Sequence, residues 1–67
     1  MTENEKYKIL IVDDHALMRE GLKLVLEADP RFTVVGEANN GFTAVTIYRK
    51  LQPDLVIMDL SMPQMDG

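Results

Sequence analysis

Three short apolar segments, separated by two longer amphipathic ones, set the pattern of this chain. Segments 9–12 and 55–58 are continuously apolar and rich in β-branched residues, which is typical of strands buried on both faces. Segment 33–38 is less apolar and predicts a third strand. Each apolar run ends abruptly at polar residues, so the chain is predicted to hold three strands joined by two longer connections.

The two connections change to a helical period. The first helix is predicted to start after Asp14 as its N-cap and to end at Asp29 and Pro30. The second is predicted to end at Gln52 and Pro53, because proline disfavours helical geometry in the residue before it. We expect the apolar stripes of both helices to lie in the core, and these stripes include Leu17, Met18, Leu22, Val25, Ala44, Val45, Tyr48 and Leu51. The charged residues of the first helix are predicted to lie mostly on the other, solvated face, and these are Arg19, Glu20, Lys23 and Glu27.

The order β-α-β-α-β predicts an α/β fold with a parallel sheet, because each connection is long enough to hold a crossover helix. Strand 1 is expected to lie between strands 2 and 3, as at the start of a flavodoxin-like doubly wound sheet, truncated here after the third strand. Strand 3 is then an edge. An apolar edge strand invites pairing with another chain, so we expect self-association through it.

Composition narrows the class of protein. The chain has 67 residues, no cysteine, and 46% hydrophobic and 27% charged residues, which predicts one small globular unit without disulfides or thiolate zinc sites. Its formal charge of −4 argues against a nucleic-acid surface. The first apolar run is too short for a signal peptide or a membrane span, so a cytoplasmic location is expected.

Three aspartates follow the predicted central strands. Asp13 and Asp14 come directly after strand 1, and Asp59 follows strand 3. Ligands of open α/β sheets bind outside the carboxyl ends of the strands, so the three carboxylates are expected to meet there around a divalent ion, most plausibly Mg²⁺. Alternatively, the aspartate pair only caps the first helix and Asp59 is only a turn residue. His15 follows the pair, but Mg²⁺ prefers oxygen ligands, so a structural or solvent-facing role is expected for it.

Several stretches together resemble the N-terminal half of a response-regulator receiver domain, with 1–8 as a tail and lead-in and 9–67 as the receiver part. Within the family, helix 1 and strand 2 are most similar to receivers that precede a C-terminal helix-turn-helix output domain (NarL/FixJ/LuxR-like). The stretches that carry the resemblance are IVDDH at 11–15, MREGL at 18–22, VVGEA at 34–38 and PDLVIMDLSMPQMDG at 53–67.

The resemblance implies a phosphoryl-accepting signalling module of a two-component system rather than an enzyme. Asp59 would accept a phosphoryl group from a sensor histidine kinase or from a small donor such as acetyl phosphate. Asp14 would bind Mg²⁺ directly and Asp13 mainly through water, with Asp59 and the backbone carbonyl of Ser61 completing the metal site. In full length, such a regulator would control transcription by binding DNA through its output domain.

The chain stops at Gly67, about halfway through the family pattern. The later Ser or Thr hydroxyl and Lys of the family, and its output domain, are therefore expected to lie outside these 67 residues. A second hypothesis follows, in which the chain acts only as a self-associating or kinase-trapping interaction module without phosphotransfer. A hydrolase that uses Asp59 as nucleophile is less favoured, since position 61 is Ser rather than a second acid.

Overall fold

The computed structural model describes residues 6–59, which form a three-stranded parallel sheet and two helices. The strands lie in the order β2-β1-β3, and β1 pairs in parallel with both neighbours, so the predicted fold class and strand order are confirmed. The elements are β1 (Tyr7–Val12), α1 (Ala16–Glu27), β2 (Phe32–Ala38), α2 (Gly41–Leu51) and β3 (Leu55–Met58). Strand β1 therefore begins two residues before the predicted start at Ile9.

The core is centred on β1. Its last four residues, Ile9 to Val12, are at most 1% exposed. Side chains alternate between the faces of a strand, so Leu10 and Val12 pack with Ala38 and Ala44 on the α2 side of the sheet. This central strand is covered on both faces and by a strand on each side, which is why its sequence reads as continuously apolar.

The helix ends follow local chemistry. Asn40 caps α2, because its side-chain oxygen accepts the Thr43 amide at 2.8 Å. Gln52 ends the helix in the left-handed conformation at φ 47°, directly before Pro53. The prediction that Asp14 caps α1 is wrong: the N-cap is His15, whose side chain makes no capping hydrogen bond. The acidic turn, Asp13 to His15, is instead stabilised just before α1 begins, because the Asp13 carboxylate accepts a hydrogen bond from the His15 amide at 2.9 Å.

Helix α2 approaches β2 closely at Gly36. A Cβ atom placed on Gly36 would lie 2.9 Å from Leu51 Cδ1 and 3.0 Å from Ile47 Cγ2. The pairing of β1 with β2 also shifts here, since Ile9 pairs with Val34 but Leu10 pairs with Gly36. Gly36, which has no Cβ atom, therefore lies where α2 packs closely on the sheet.

The helical stripes that were expected in the core are largely exposed. Helix α1 has no buried residue, and Leu17 is 83% and Met18 54% exposed. On α2, Tyr48 is 49% exposed and Leu51 is half-buried. Both helices pack on β1 and β2, and neither packs its backbone closely on β3. Within residues 6–59 no further helix or strand covers the exposed part of these stripes, so the helical period identified the apolar faces but not their burial.

Neither helix among residues 6–59 is long and apolar enough to cross a membrane.

Candidate metal centre

Backbone hydrogen bonds fix the aspartates at one edge of the sheet. The Asp13 amide donates to Ala38 of β2 at 3.0 Å, and the Asp59 amide donates to Val12 of β1 at 3.0 Å. Val12 is in register with Met58, so the residues that follow them, Asp13 and Asp59, leave the sheet side by side. The parallel register therefore does what the sequence predicted, bringing acids 46 positions apart to the same edge.

The side chains of Asp13, Asp14, His15 and Asp59 converge. Each offers one ligand atom, and these atoms all lie within 4.8 Å of one another. Two oxygen ligands of an octahedral Mg²⁺ at about 2.1 Å are about 3.0 Å apart when adjacent and about 4.2 Å apart when opposite. The limit of 4.8 Å is close to these ligand spacings, so the carboxylates lie near enough to one another to share a small divalent ion. The fourth predicted ligand, the Ser61 carbonyl, lies outside the described residues.

The three acids differ in exposure, which separates what each can do. The Asp13 side chain is only 9% exposed, whereas that of Asp14 is 34% exposed. Asp59 is half-buried, at the end of β3. Asp13 is therefore the least accessible of the three, while Asp14 and Asp59 remain reachable from solvent.

His15 lies between two of the carboxylates. Its ring Nδ1 is 3.0 Å from Asp13 Oδ1 and 2.9 Å from Asp14 Oδ1. The hydrogen bond to Asp13 and the negative charges of Asp14 and Asp59 raise the pKa of His15 above 6.5. The ring is otherwise solvent-facing, with 68% of the side chain exposed, as the sequence predicted. The contact of the ring with the two carboxylates was not predicted. The sequence signal for it is that His15 directly follows Asp13 and Asp14.

Arg19 was predicted to belong to the solvated face of α1 but turns towards the acidic turn. Its Nη1 atom donates to the backbone carbonyl of Asp13 at 2.6 Å, and its Nε donates to Glu37 Oε1 on β2 at 3.1 Å. Only 19% of the Arg19 side chain is exposed. Helical periodicity missed this contact because a long arginine side chain can reach back past its own helix face.

Another polar residue of α1 also faces the sheet. The Glu27 carboxylate accepts the Val34 amide of β2 at 2.9 Å. Within the described part of the chain, β2 has β1 on one side only, so this contact satisfies a backbone donor on the outer edge of the sheet. It lies away from the acidic cluster and supports the fold rather than the site.

Comparisons with known proteins agree with this geometry. The family model for the response regulator receiver domain matches residues 9–67. The chain is 53% identical over 60 residues to the transcriptional regulatory protein YdfI of Bacillus subtilis (strain 168), covering 90% of this chain and 28% of YdfI. It is 48% identical over 60 residues to a protein-glutamate methylesterase/protein-glutamine glutaminase 2 of Photobacterium profundum, covering 90% of this chain and 15% of that protein.

A solved structure shows the same fold. The crystal structure of a two-component response regulator of the LuxR family from Aurantimonas sp. SI85-9A1 matches with a TM-score of 0.83 and 41% identity. The match covers 88% of this chain and 42% of that one. The chain thus spans less than a third of these curated relatives and less than half of the solved chain. By sequence and by structure, this chain belongs to the response-regulator receiver family.

Proposed function

We propose that the chain is the phosphoryl-accepting module of a two-component response regulator, with Asp59 as the acceptor. The donor is a phosphohistidine on a sensor kinase or a small phosphodonor such as acetyl phosphate. The observation that carries the proposal is the convergence of Asp13, Asp14 and Asp59 from the ends of two adjacent strands. Such an arrangement suits a phosphoryl group that must be held by charge and presented to a carboxylate.

The proposed reaction transfers a phosphoryl group to oxygen. An Asp59 carboxylate oxygen attacks phosphorus, and the bond from phosphorus to the donor's nitrogen or oxygen breaks, so that the donor leaves with that electron pair. A carboxylate is a weak nucleophile, so most of the catalysis must come from positioning and charge neutralisation. The hydrogen bond from the Asp59 amide to Val12 places the start of the attacking side chain.

Exposure supports Asp59 over its neighbours as the acceptor. Asp13 is almost buried, and its Oδ1 already accepts the His15 amide, which leaves little access for an incoming phosphoryl group. Asp14 is more exposed but lies beside the His15 ring. Asp59 combines partial exposure with a position at the end of β3, where the family motif has its acceptor.

The donor set fits Mg²⁺ as the cofactor. We assign Asp13, Asp14, Asp59 and the backbone carbonyl of Ser61 as the groups that would hold it. Their oxygen atoms match the preference of this hard cation, whereas the nitrogen of His15 does not, so His15 is left out of the set. When bound, Mg²⁺ would neutralise charge on the phosphoryl oxygens and help orient them for in-line transfer.

Calorimetric titration with Mg²⁺ tests the ligand set. We expect Asp14→Ala to weaken binding more than Asp13→Ala, because the family pattern has Asp14 in direct contact with the ion and Asp13 in contact mainly through water. Asp54→Asn is the matched control, since Asp54 is at the opposite end of β3 and accepts the Lys8 amide at 2.7 Å. Equal binding by all the variants and the wild type would contradict the assignment.

Metal dependence tests the reaction itself. Incubation with radiolabelled acetyl phosphate and Mg²⁺ should label the chain, and an excess of chelator should remove most of the labelling. Equal labelling with and without chelator would contradict the proposed role of Mg²⁺ in the reaction.

We extend the proposal to a regulator that controls transcription in the cytoplasm through a DNA-binding output segment. Two similar proteins support this extension. YdfI is named a transcriptional regulatory protein, and the similar solved structure is that of a LuxR-family response regulator. The chain itself carries a formal charge of −4, so DNA contact requires another segment. The reading frame after Gly67 tests this. A helix-turn-helix segment is expected, while a methylesterase domain, as in the Photobacterium relative, would contradict it.

Self-association through β3 is a second candidate function for the 67-residue chain. Within residues 6–59, β3 pairs only with β1, and Leu55 at its start is 47% exposed. An apolar edge with unpaired backbone groups can pair with the same edge of a second copy. Helicity that falls on dilution would support this state, because the folded form would then depend on protein concentration. Circular dichroism that is unchanged over a wide dilution range would refute it.

A further inference from the structure

Arg19 and Glu37 connect three elements behind the acidic cluster. Arg19 lies on α1, Glu37 lies on β2, and the Asp13 carbonyl that Arg19 contacts follows β1. The Asp13 amide is held separately by Ala38 of β2. Both polar groups of the Asp13 backbone are thus occupied, one by the sheet and one by Arg19.

The contact fixes more than Asp13 alone. The Asp13 carbonyl belongs to the peptide plane that also carries the Asp14 amide, so holding this oxygen sets the direction in which the chain enters Asp14. Glu37 in turn holds the guanidinium by an ion pair at 3.1 Å, with the two side chains 19% and 35% exposed. The planar guanidinium holds its donors in a rigid fork, so Nη1 and Nε reach the Asp13 carbonyl and Glu37 from fixed positions, whereas a lysine ammonium is a compact charge on a flexible stem.

We propose that Arg19, braced by Glu37, is a positioning residue that orients the Asp13–Asp14 turn for metal binding. This inference rests on the proposed magnesium site. Neither residue is a ligand in the proposed set, and both act through the backbone of Asp13. Residues that orient metal ligands typically change metal affinity by about 10- to 100-fold when they are replaced.

An effect of charge and an effect of positioning predict opposite changes in Mg²⁺ affinity for Arg19→Gln. Arg19→Gln removes a positive charge close to a cation site, so an effect of charge alone would tighten Mg²⁺ binding. A positioning role predicts weaker binding, by about tenfold. Arg19→Lys keeps the charge but replaces the rigid fork by one flexible ammonium group, so charge alone predicts no change and positioning again predicts weaker binding.

Calorimetric titration of the 67-residue chain with Mg²⁺ measures these effects. We expect weaker binding in Arg19→Gln and Arg19→Lys and a smaller loss in Glu37→Gln, with the Arg19→Gln/Glu37→Gln double variant no worse than Arg19→Gln alone. Arg31→Gln is the matched control, because Arg31 is also ion-paired, with Asp29 at 2.8 Å, but lies at the amino end of β2. Unchanged or tighter binding in both Arg19 variants would overturn the proposal.

A metal-free measurement separates this inference from the proposed function. Hydrogen exchange of the Asp13 and His15 amides should speed up in Arg19→Lys and Glu37→Gln more than exchange of the buried Ile11 amide, which reports the stability of the sheet. Failure of the wild type to bind Mg²⁺ would refute the metal site, and the exchange data would still show whether Arg19 orders the turn. Unchanged Asp13 and His15 exchange in both variants would overturn the positioning role.

Discussion

Replacing Gly36 by alanine tests the packing of α2 on the sheet. The added Cβ would lie 2.9 Å from Leu51 Cδ1, 3.0 Å from Ile47 Cγ2 and 3.4 Å from Leu10 Cδ1. Carbon atoms pack best at about 3.5–4.0 Å, so two of these neighbours must move. Overpacking of this kind costs about 1–3 kcal/mol. Because no glycine in residues 6–59 has a positive φ, alanine also lowers the entropy of the unfolded chain, a gain of about 0.4–1 kcal/mol.

The expected net effect is a loss of about 1 kcal/mol in the free energy of unfolding, since the tip of Leu51 can rotate away and relieve part of the overlap. Gly21→Ala is the matched control. Gly21 lies on α1, and beyond the backbone of its own helix a Cβ atom there would have no neighbour within 4 Å. There the same change should stabilise the chain by about 0.5–1 kcal/mol.

Urea unfolding at fixed protein concentration measures both variants. With a slope of about 1 kcal/mol per molar urea, the midpoint should fall by about 1 M in Gly36→Ala and rise by about 0.5–1 M in Gly21→Ala. Two midpoints that rise by the same amount would show that α2 does not approach β2 as closely as described.

Two further predictions concern polar contacts at element ends. Asn40→Ala removes the cap that accepts the Thr43 amide and should lower the unfolding free energy by about 1 kcal/mol, measured by urea unfolding with Thr46→Ala, at an exposed position of the same helix, as the control; equal midpoints would contradict the cap. Arg31 lowers the pKa of Asp29 from 3.8 to about 2, so this pair contributes stability above pH 3.8 that is lost as the pH falls towards 2. A carboxyl NMR titration should show the lowered pKa of Asp29, and Arg31→Gln should raise this pKa only part of the way back, because the backbone amide of residue 31 still donates to the Asp29 carboxylate.

Strand positions and the site acids could be predicted because both depend on local sequence. The β-branched run in β1 ends at Asp13, and that in β3 ends at Asp59, so a parallel sheet leaves little choice about where the two acids meet. The roles of Asp59 and Ser61 came from resemblance to the family, and they stay predictions. The fold and the meeting of the acids are confirmed.

The errors arose where the folded chain, rather than the local pattern, decides what a residue contacts. Asp14 has the side chain of a good N-cap, but α1 begins at Ala16, so the N-cap position falls on His15. Arg19 follows the charged side of the helical period, yet its length lets it reach Asp13 and Glu37. Met18 follows the apolar stripe, but periodicity alone cannot tell which elements cover it. How far a side chain reaches, and which elements cover it, depend on the folded chain. The local pattern of apolar and polar residues does not contain this information.

Mass spectrometry of the intact chain after incubation with Mg²⁺ and acetyl phosphate tests the central claim most directly. We expect the wild type and Asp54→Asn to gain one phosphoryl group, and Asp59→Asn to gain none, because the amide has nearly the shape of the carboxylate without its negative charge. Asp54 is the matched control, because it directly precedes the first residue of β3, at the end opposite the acidic cluster. A phosphoryl group gained equally by Asp59→Asn, or gained by none of the three proteins, would contradict the account.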